Sequence, residues 1–237
     1  MEYEHRLIFI PMDEERNKGG HLYIDNPSGK ILIDTGSPIS GCVTGKIAFG
    51  GDNHDVPTDL APLIKLEELF RELQEDNVIG LIGTDILNHY DRLFDIPGEK
   101  LTTNTHLTPM GEILPSTSVS GTPSIPLLVN GHETRALFDT GAPVAYFGPQ
   151  LIERPDHFLK NQQDFFPALG EMGRVNTPVY HATLTLGGIH RDLACGAFTN
   201  SLTSLGTMGM GIVGSSLMTD LKVGMSHHQG VVWLEAS

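Results

Sequence analysis

Cysteine is nearly absent from this chain of 237 residues; Cys42 and Cys195 are the only two. They fall at unmatched positions of an internal repeat, so no disulfide framework is expected, and a reducing compartment follows. Positive charge is also scarce. Fifteen basic residues face 29 acidic ones, a formal net charge of −14. That balance disfavours nucleic acid and anionic membrane surfaces as partners. No stretch approaches the roughly 20 apolar residues of a membrane span. The opening MEYEHRLIFIPMDEE carries charge around a four-residue apolar run, unlike a secretory leader. These features together predict a cytoplasmic protein. Several motifs are missing as well. There is no His-Glu-x-x-His, no Cys-x-x-Cys, no Gly-Lys-Ser/Thr after a glycine loop and no Gly-x-Ser-x-Gly. Neither a metal site nor a cofactor is therefore expected.

What the chain does have is one phrase written twice. Residues 31–38 read ILIDTGSP and residues 136–143 read ALFDTGAP. Each time an apolar β-type run delivers an aspartate into a Thr-Gly turn. The repeat continues downstream. KIAFGGDNHDV (46–56) is answered by ATLTLGGIHRDL (182–193), and VIGLIGTDIL (78–87) by MGIVGSSLM (210–218). Repeats of this kind decide architecture before any single element does.

The offsets between copies locate the insertions. Asp34 and Asp139 are 105 positions apart, Gly50 and Gly187 are 137 apart, and Gly83 and Gly214 are 131 apart. The second copy thus holds 32 additional residues between its aspartate and its Gly-Gly turn. They include QDFFPALGEMGRVNTPVYHATLTL, which reads as a hairpin around Gly170-Glu171-Met172-Gly173. The first copy has six extra residues before its final glycine, at LIKLEELFRELQED (63–76). There Leu63, Leu66, Leu69, Phe70 and Leu73 recur at helical spacing and predict an amphipathic helix. Residues 102–124 are rich in Thr, Ser and Pro and read as an irregular link. LIFI (7–10) and VVWL (231–234) read as strands near the two ends.

Asp-Thr-Gly followed by apolar-apolar-Gly, twice over, resembles the pepsin and retropepsin superfamily of aspartic peptidases. The resemblance spans nearly the whole chain and implies an all-β fold of two tandem, retropepsin-sized lobes with a cleft between them. The lobes would run over 1–110 and 125–237, joined by a linker at 111–124. In that family terminal strands build a sheet joining the lobes, and the same is expected here. The resemblance further implies that Asp34 and Asp139 are the catalytic pair, sharing one proton and hydrolysing peptide bonds through a water held between them. Thr35 and Thr140 match residues that brace the two loops across the cleft. Gly36 and Gly141 match glycines that let backbone N–H groups approach the carboxylates. Ser37 follows the first motif and Ala142 the second. A Ser37 hydroxyl bonded to Asp34 would bias Asp34 toward the charged role and Asp139 toward the protonated one. The inserted hairpin resembles a flap, placing Leu169, Gly170, Met172 and Gly173 over a peptide or protein substrate. Both aspartates lie in one chain, so activity is compatible with a monomer, and an oligomer stays open. The rival expectations are a peptide-binding module on the same fold without turnover, and a hydrolase of another class.

Overall fold

A computed structural model describes residues 1–13, 17–60, 65–73, 75–165, 174–198 and 210–236. The chain is mostly β, with short helices at a few connections. One sheet has ten strands. In spatial order they are Glu112–Pro115, Val231–Ala236, Leu221–Ser226, Asp91–Asp95, Lys100–Asn104, Tyr3–Asp13, Asn17–Asn26, Gly29–Ile33, Val78–Ile82 and Gly41–Cys42. A second sheet has eight: Thr117–Val119, Thr122–Val129, His132–Phe138, Met210–Val213, Ala145–Phe147, Ile189–Ala197, Arg174–Leu186 and Phe158–Phe165. Lys46–Phe49 and Asp52–Asp55 form a separate hairpin.

The strands that carry the aspartates show why this sequence folds so. Ile31, Leu32 and Ile33 are all buried, because both faces of their strand are covered. Ile31 and Ile33 enter the main core, while Leu32 joins Tyr23, Leu69, Val78 and Leu81 on the other side. Leu69 comes from the helix Leu66–Leu73, which carries the spaced Leu66, Leu69, Phe70 and Leu73; Leu63 lies outside the described residues. Covering such residues is worth about 1.5–3 kcal/mol per large side chain, which is why an uninterrupted apolar run, and not an alternating one, is tolerated here.

Both Gly-Gly turns close two-residue hairpins, pairing Phe49 with Asp52 and Leu186 with Ile189. Gly50 and Gly51 have φ of +62° and +88°, the conformation such a loop demands. The inserted segment of the second copy is also a hairpin. Phe158–Phe165 pairs antiparallel with the first part of Arg174–Leu186, ending at Phe165 opposite Arg174. Its expected tip, Leu169, Gly170, Met172 and Gly173, lies outside the described residues.

The repeat offset reappears in the pairing. Leu93 pairs with Gly224, 131 positions on, the same distance that separates Gly83 from Gly214. Corresponding strands from the two copies therefore meet each other at corresponding residues. The terminal strands Tyr3–Asp13 and Val231–Ala236 lie in this same ten-stranded sheet. The link is more ordered than its composition suggests. Glu112–Pro115 pairs with Val231–Leu234, and Thr117–Val119 pairs with Thr122–Ser124. For Glu112–Pro115 a partner more than 100 positions away supplies the hydrogen bonds that local propensity does not signal. Cys42 and Cys195 are free, buried and in different sheets. Among the described residues no helix is long and apolar enough to cross a membrane.

Candidate active site

Each aspartate leaves the end of a strand that runs parallel to an apolar-apolar-Gly strand. Ile33 pairs with Ile82 and Phe138 with Val213. The ladder continues one residue further in both copies: Asp34 N donates to Ile82 O at 3.0 Å, and Asp139 N to Val213 O at 2.9 Å. Gly83 and Gly214 then let the chain pass close to the loops. A Cβ on Gly83 would lie 2.5 Å from Ile39 O, and one on Gly214 would lie 2.4 Å from Ala142 O.

The two loops hold each other. Thr35 Oγ1 donates to Phe138 O at 2.6 Å and accepts Thr140 N at 2.9 Å. Thr140 Oγ1 donates to Ile33 O at 2.8 Å and accepts Thr35 N at 3.0 Å. Both threonines are fully buried. Four hydrogen bonds thus cross between loops 105 positions apart, each with its counterpart from the other copy.

This bracing brings the carboxyls into direct hydrogen-bonding contact. The glycines measure how tight the fit is. A Cβ on Gly36 would lie 2.4 Å from the Asp139 carboxyl carbon, and one on Gly141 would lie 2.6 Å from that of Asp34. Carbon atoms in contact stand about 3.5–4.0 Å apart. Only glycine leaves room for the opposing carboxylate, which is the physical reason each motif ends in Gly. Gly36→Ala is expected to cost about 1–3 kcal/mol through the forced separation, read by urea unfolding. An unchanged midpoint would show that the carboxyls do not sit this close.

Burial raises both carboxyl pKa values, and Asp34 is raised well above the usual carboxylate range. After desolvation, the charge of Asp139 and the bond to it add to the rise at Asp34. The same bond lowers Asp139, together with backbone N–H groups of Gly141, Ala142 and Gly36. Each carboxyl accepts two N–H groups of its own loop: Asp34 from Gly36 at 2.8 Å and Ser37 at 3.1 Å, Asp139 from Gly141 at 2.9 Å and Ala142 at 3.3 Å. Amide donors favour the ionised form. Burial and the mutual repulsion of the two groups therefore disfavour two charges at this site, with the larger rise at Asp34.

The Ser37 hydroxyl does not play the part expected of it. Its hydroxyl donates to Ile39 O at 2.7 Å and makes no bond to the Asp34 carboxyl; only its backbone N–H reaches it. Ala142 lies at the corresponding place, with its N–H 3.3 Å from Asp139 Oδ1. The serine hydroxyl shapes its own turn.

Two further features near the loops had no sequence signal. Asp85 accepts Ser40 Oγ at 2.5 Å and Ser40 N at 3.0 Å, while Ser40 Oγ accepts Gly83 N at 2.8 Å. This network secures the first loop from below. His21 packs against the second loop. A bond to the Gly141 backbone favours its charged form, but burial outweighs it and pushes the pKa down to about 4. Its Nδ1 has no hydrogen-bond partner. His21 is a neutral imidazole beside the dyad at ordinary pH. A lone histidine in a β-strand carries no sequence mark of such a neighbour.

No protein-family model matches this chain, and no curated protein matches it either.

Proposed function

We propose that the chain is an aspartic endopeptidase, built as two pepsin- or retropepsin-like lobes over 1–110 and 125–237 with the 111–124 segment between them. One observation carries the reading. Two Asp-Thr-Gly loops are braced by reciprocal threonine bonds and set together two buried carboxyls whose pKa values desolvation raises. The matched pairing of Leu93 with Gly224 supports the two-lobe arrangement.

The chemistry follows from the unequal carboxyls. Asp139, ionised, accepts a proton from a water between the two side chains. The water oxygen attacks the scissile carbonyl carbon as Asp34 donates its proton to the carbonyl oxygen. The tetrahedral intermediate then collapses: the amide nitrogen takes the proton held by Asp139, the C–N bond breaks, and one hydroxyl of the former diol returns a proton to Asp34, which restores the starting state. No covalent link to the enzyme forms. An extended peptide is the substrate class this cleft favours, and the hairpin from Phe158 to Leu186 is the candidate cover.

The test is a diverse peptide mixture incubated from about pH 3.5 to 7.5, the span in which a shared-proton dyad works. Wild type is run beside Asp34→Asn and Asp139→Asn, with products read by mass spectrometry. Cuts that fall at least about a hundredfold in both variants are expected. Folded wild type that cuts nothing at any pH, or cuts that survive both substitutions, would overturn the proposal.

A further inference from the structure

The fold gathers two histidines onto one buried carboxylate, well away in sequence from the Asp-Thr-Gly motifs. Asp91 begins the strand Asp91–Asp95 and is fully buried. Its Oδ2 accepts Leu107 N at 2.8 Å and Gln229 Nε2 at 3.0 Å. Gln229 Nε2 also donates to Leu107 O at 3.1 Å. Oδ2 is therefore held from two sides. Oδ1 is buried and accepts no hydrogen bond. It faces Nδ1 of His228 at 3.1 Å, close in distance but not aligned for a hydrogen bond. His106 stands beside them, its ring centroid 6.1 Å from that of His228. One ligand atom from each of Asp91, His106 and His228 lies within 4.8 Å of the other two.

We propose that Asp91, His106 and His228 bind one divalent transition-metal ion of the zinc class. Two imidazoles and one carboxylate suit zinc and its neighbours, and disfavour calcium or magnesium, which take oxygen ligands. Zinc–ligand bonds of about 2.1 Å in a tetrahedron separate ligand atoms by about 3.4 Å. The Asp91–His228 pair already meets that spacing, and both histidines are exposed, so rotation of their rings completes it. The carboxylate is oriented by groups that bond its other oxygen, as the outer shell of a metal site does. A plain ion pair of Asp91 with a protonated His228 accounts for less. It leaves His106 without a role, and Ser226 Oγ lies 3.2 Å from the same Nδ1. The ion would clamp the 105–111 segment to the 227–230 turn, tying two connections between strands of the ten-stranded sheet that lie over 100 positions apart. The inference stands apart from the proposed peptidase activity.

The experiment uses the full chain, freed of metal by chelator dialysis and titrated with zinc chloride in a calorimeter and with cobalt(II) in a spectrophotometer. Wild type is expected to bind one ion, to show visible cobalt bands, and to melt at a higher temperature with zinc. Because Asp91 is buried and its loss threatens folding, the deciding variants are the exposed His106→Ala and His228→Ala. Each is expected to weaken binding at least about tenfold and to remove the zinc-dependent rise in melting temperature. His132→Ala, an exposed histidine elsewhere, is expected to change neither. No binding by wild type at micromolar zinc, or binding that survives His106→Ala, would overturn the site.

Discussion

Thr35→Val is expected to lower the unfolding free energy by about 2–6 kcal/mol. The substitution keeps the side-chain shape and removes one hydroxyl. That hydroxyl satisfies two backbone groups of the opposite copy, Phe138 O and Thr140 N. Both would be stranded in a place water does not reach, since Thr35 and Thr140 are fully buried. Each stranded buried group costs about 1–3 kcal/mol, against a typical total stability of about 5–15 kcal/mol. Thr140→Val is expected to cost a similar amount, because its hydroxyl serves a different pair, Ile33 O and Thr35 N. Thr35→Ser retains the bonding atom and is expected to recover most of the loss. Urea unfolding at one pH measures all three. A loss below about 0.5 kcal/mol for Thr35→Val would mean that the crossed hydroxyls do not hold the loops together, since surface-like substitutions fall in that range.

Asp34→Asn is expected to melt above wild type at pH 7 to 8 and to lose that advantage in acid. In the folded protein the Asp34 carboxyl is raised well above its usual value, first by desolvation and then by Asp139. In the unfolded chain it ionises at the ordinary carboxylate value near 3.8. Above that value unfolding releases a proton that folding must recapture, so the contribution to stability is fully present below the unfolded pKa and is lost as pH rises through the folded one. Asparagine is neutral throughout and escapes the loss. Asp139 is raised in the same direction, with amide donors opposing the rise, so Asp139→Asn is expected to give a smaller gain. Calorimetric melting from about pH 3 to 8 checks both. Wild type as stable as Asp34→Asn at pH 8 would mean that the two carboxyls ionise freely and share no proton.

Much of the site was legible because it is local. Asp34-Thr35-Gly36 and Asp139-Thr140-Gly141 are contiguous, and each follows a strand whose apolar run marks it as buried on both faces. The helix at Leu66–Leu73 followed from leucines at helical spacing. The Gly-Gly turns followed from a backbone conformation that glycine adopts freely. The hairpin of the second copy was found as a surplus of 32 residues, and its paired strands lie where that surplus falls. The strand at Glu112–Pro115 was missed because its partner, Val231–Leu234, lies over 100 positions away and its own composition resembles a loop.

The sequence by itself determined that the chain is mostly β, that one unit is written twice, and where an aspartate ends a buried strand in each copy. Periodicity, glycine turns and repeat offsets are properties of neighbouring residues, so they survive without coordinates. Only the tertiary structure set the two carboxyls against each other and left the Ser37 hydroxyl off the Asp34 carboxyl. That depends on the crossed threonine bonds between the loops, and on the Ser37 hydroxyl turning to Ile39 O. Only the tertiary structure brought Asp91, His106 and His228 within reach of one ion. Ionisation and ligation depend on distances between atoms and on which donors surround them. When those atoms come from chain positions 100 or more apart, no local pattern records their meeting.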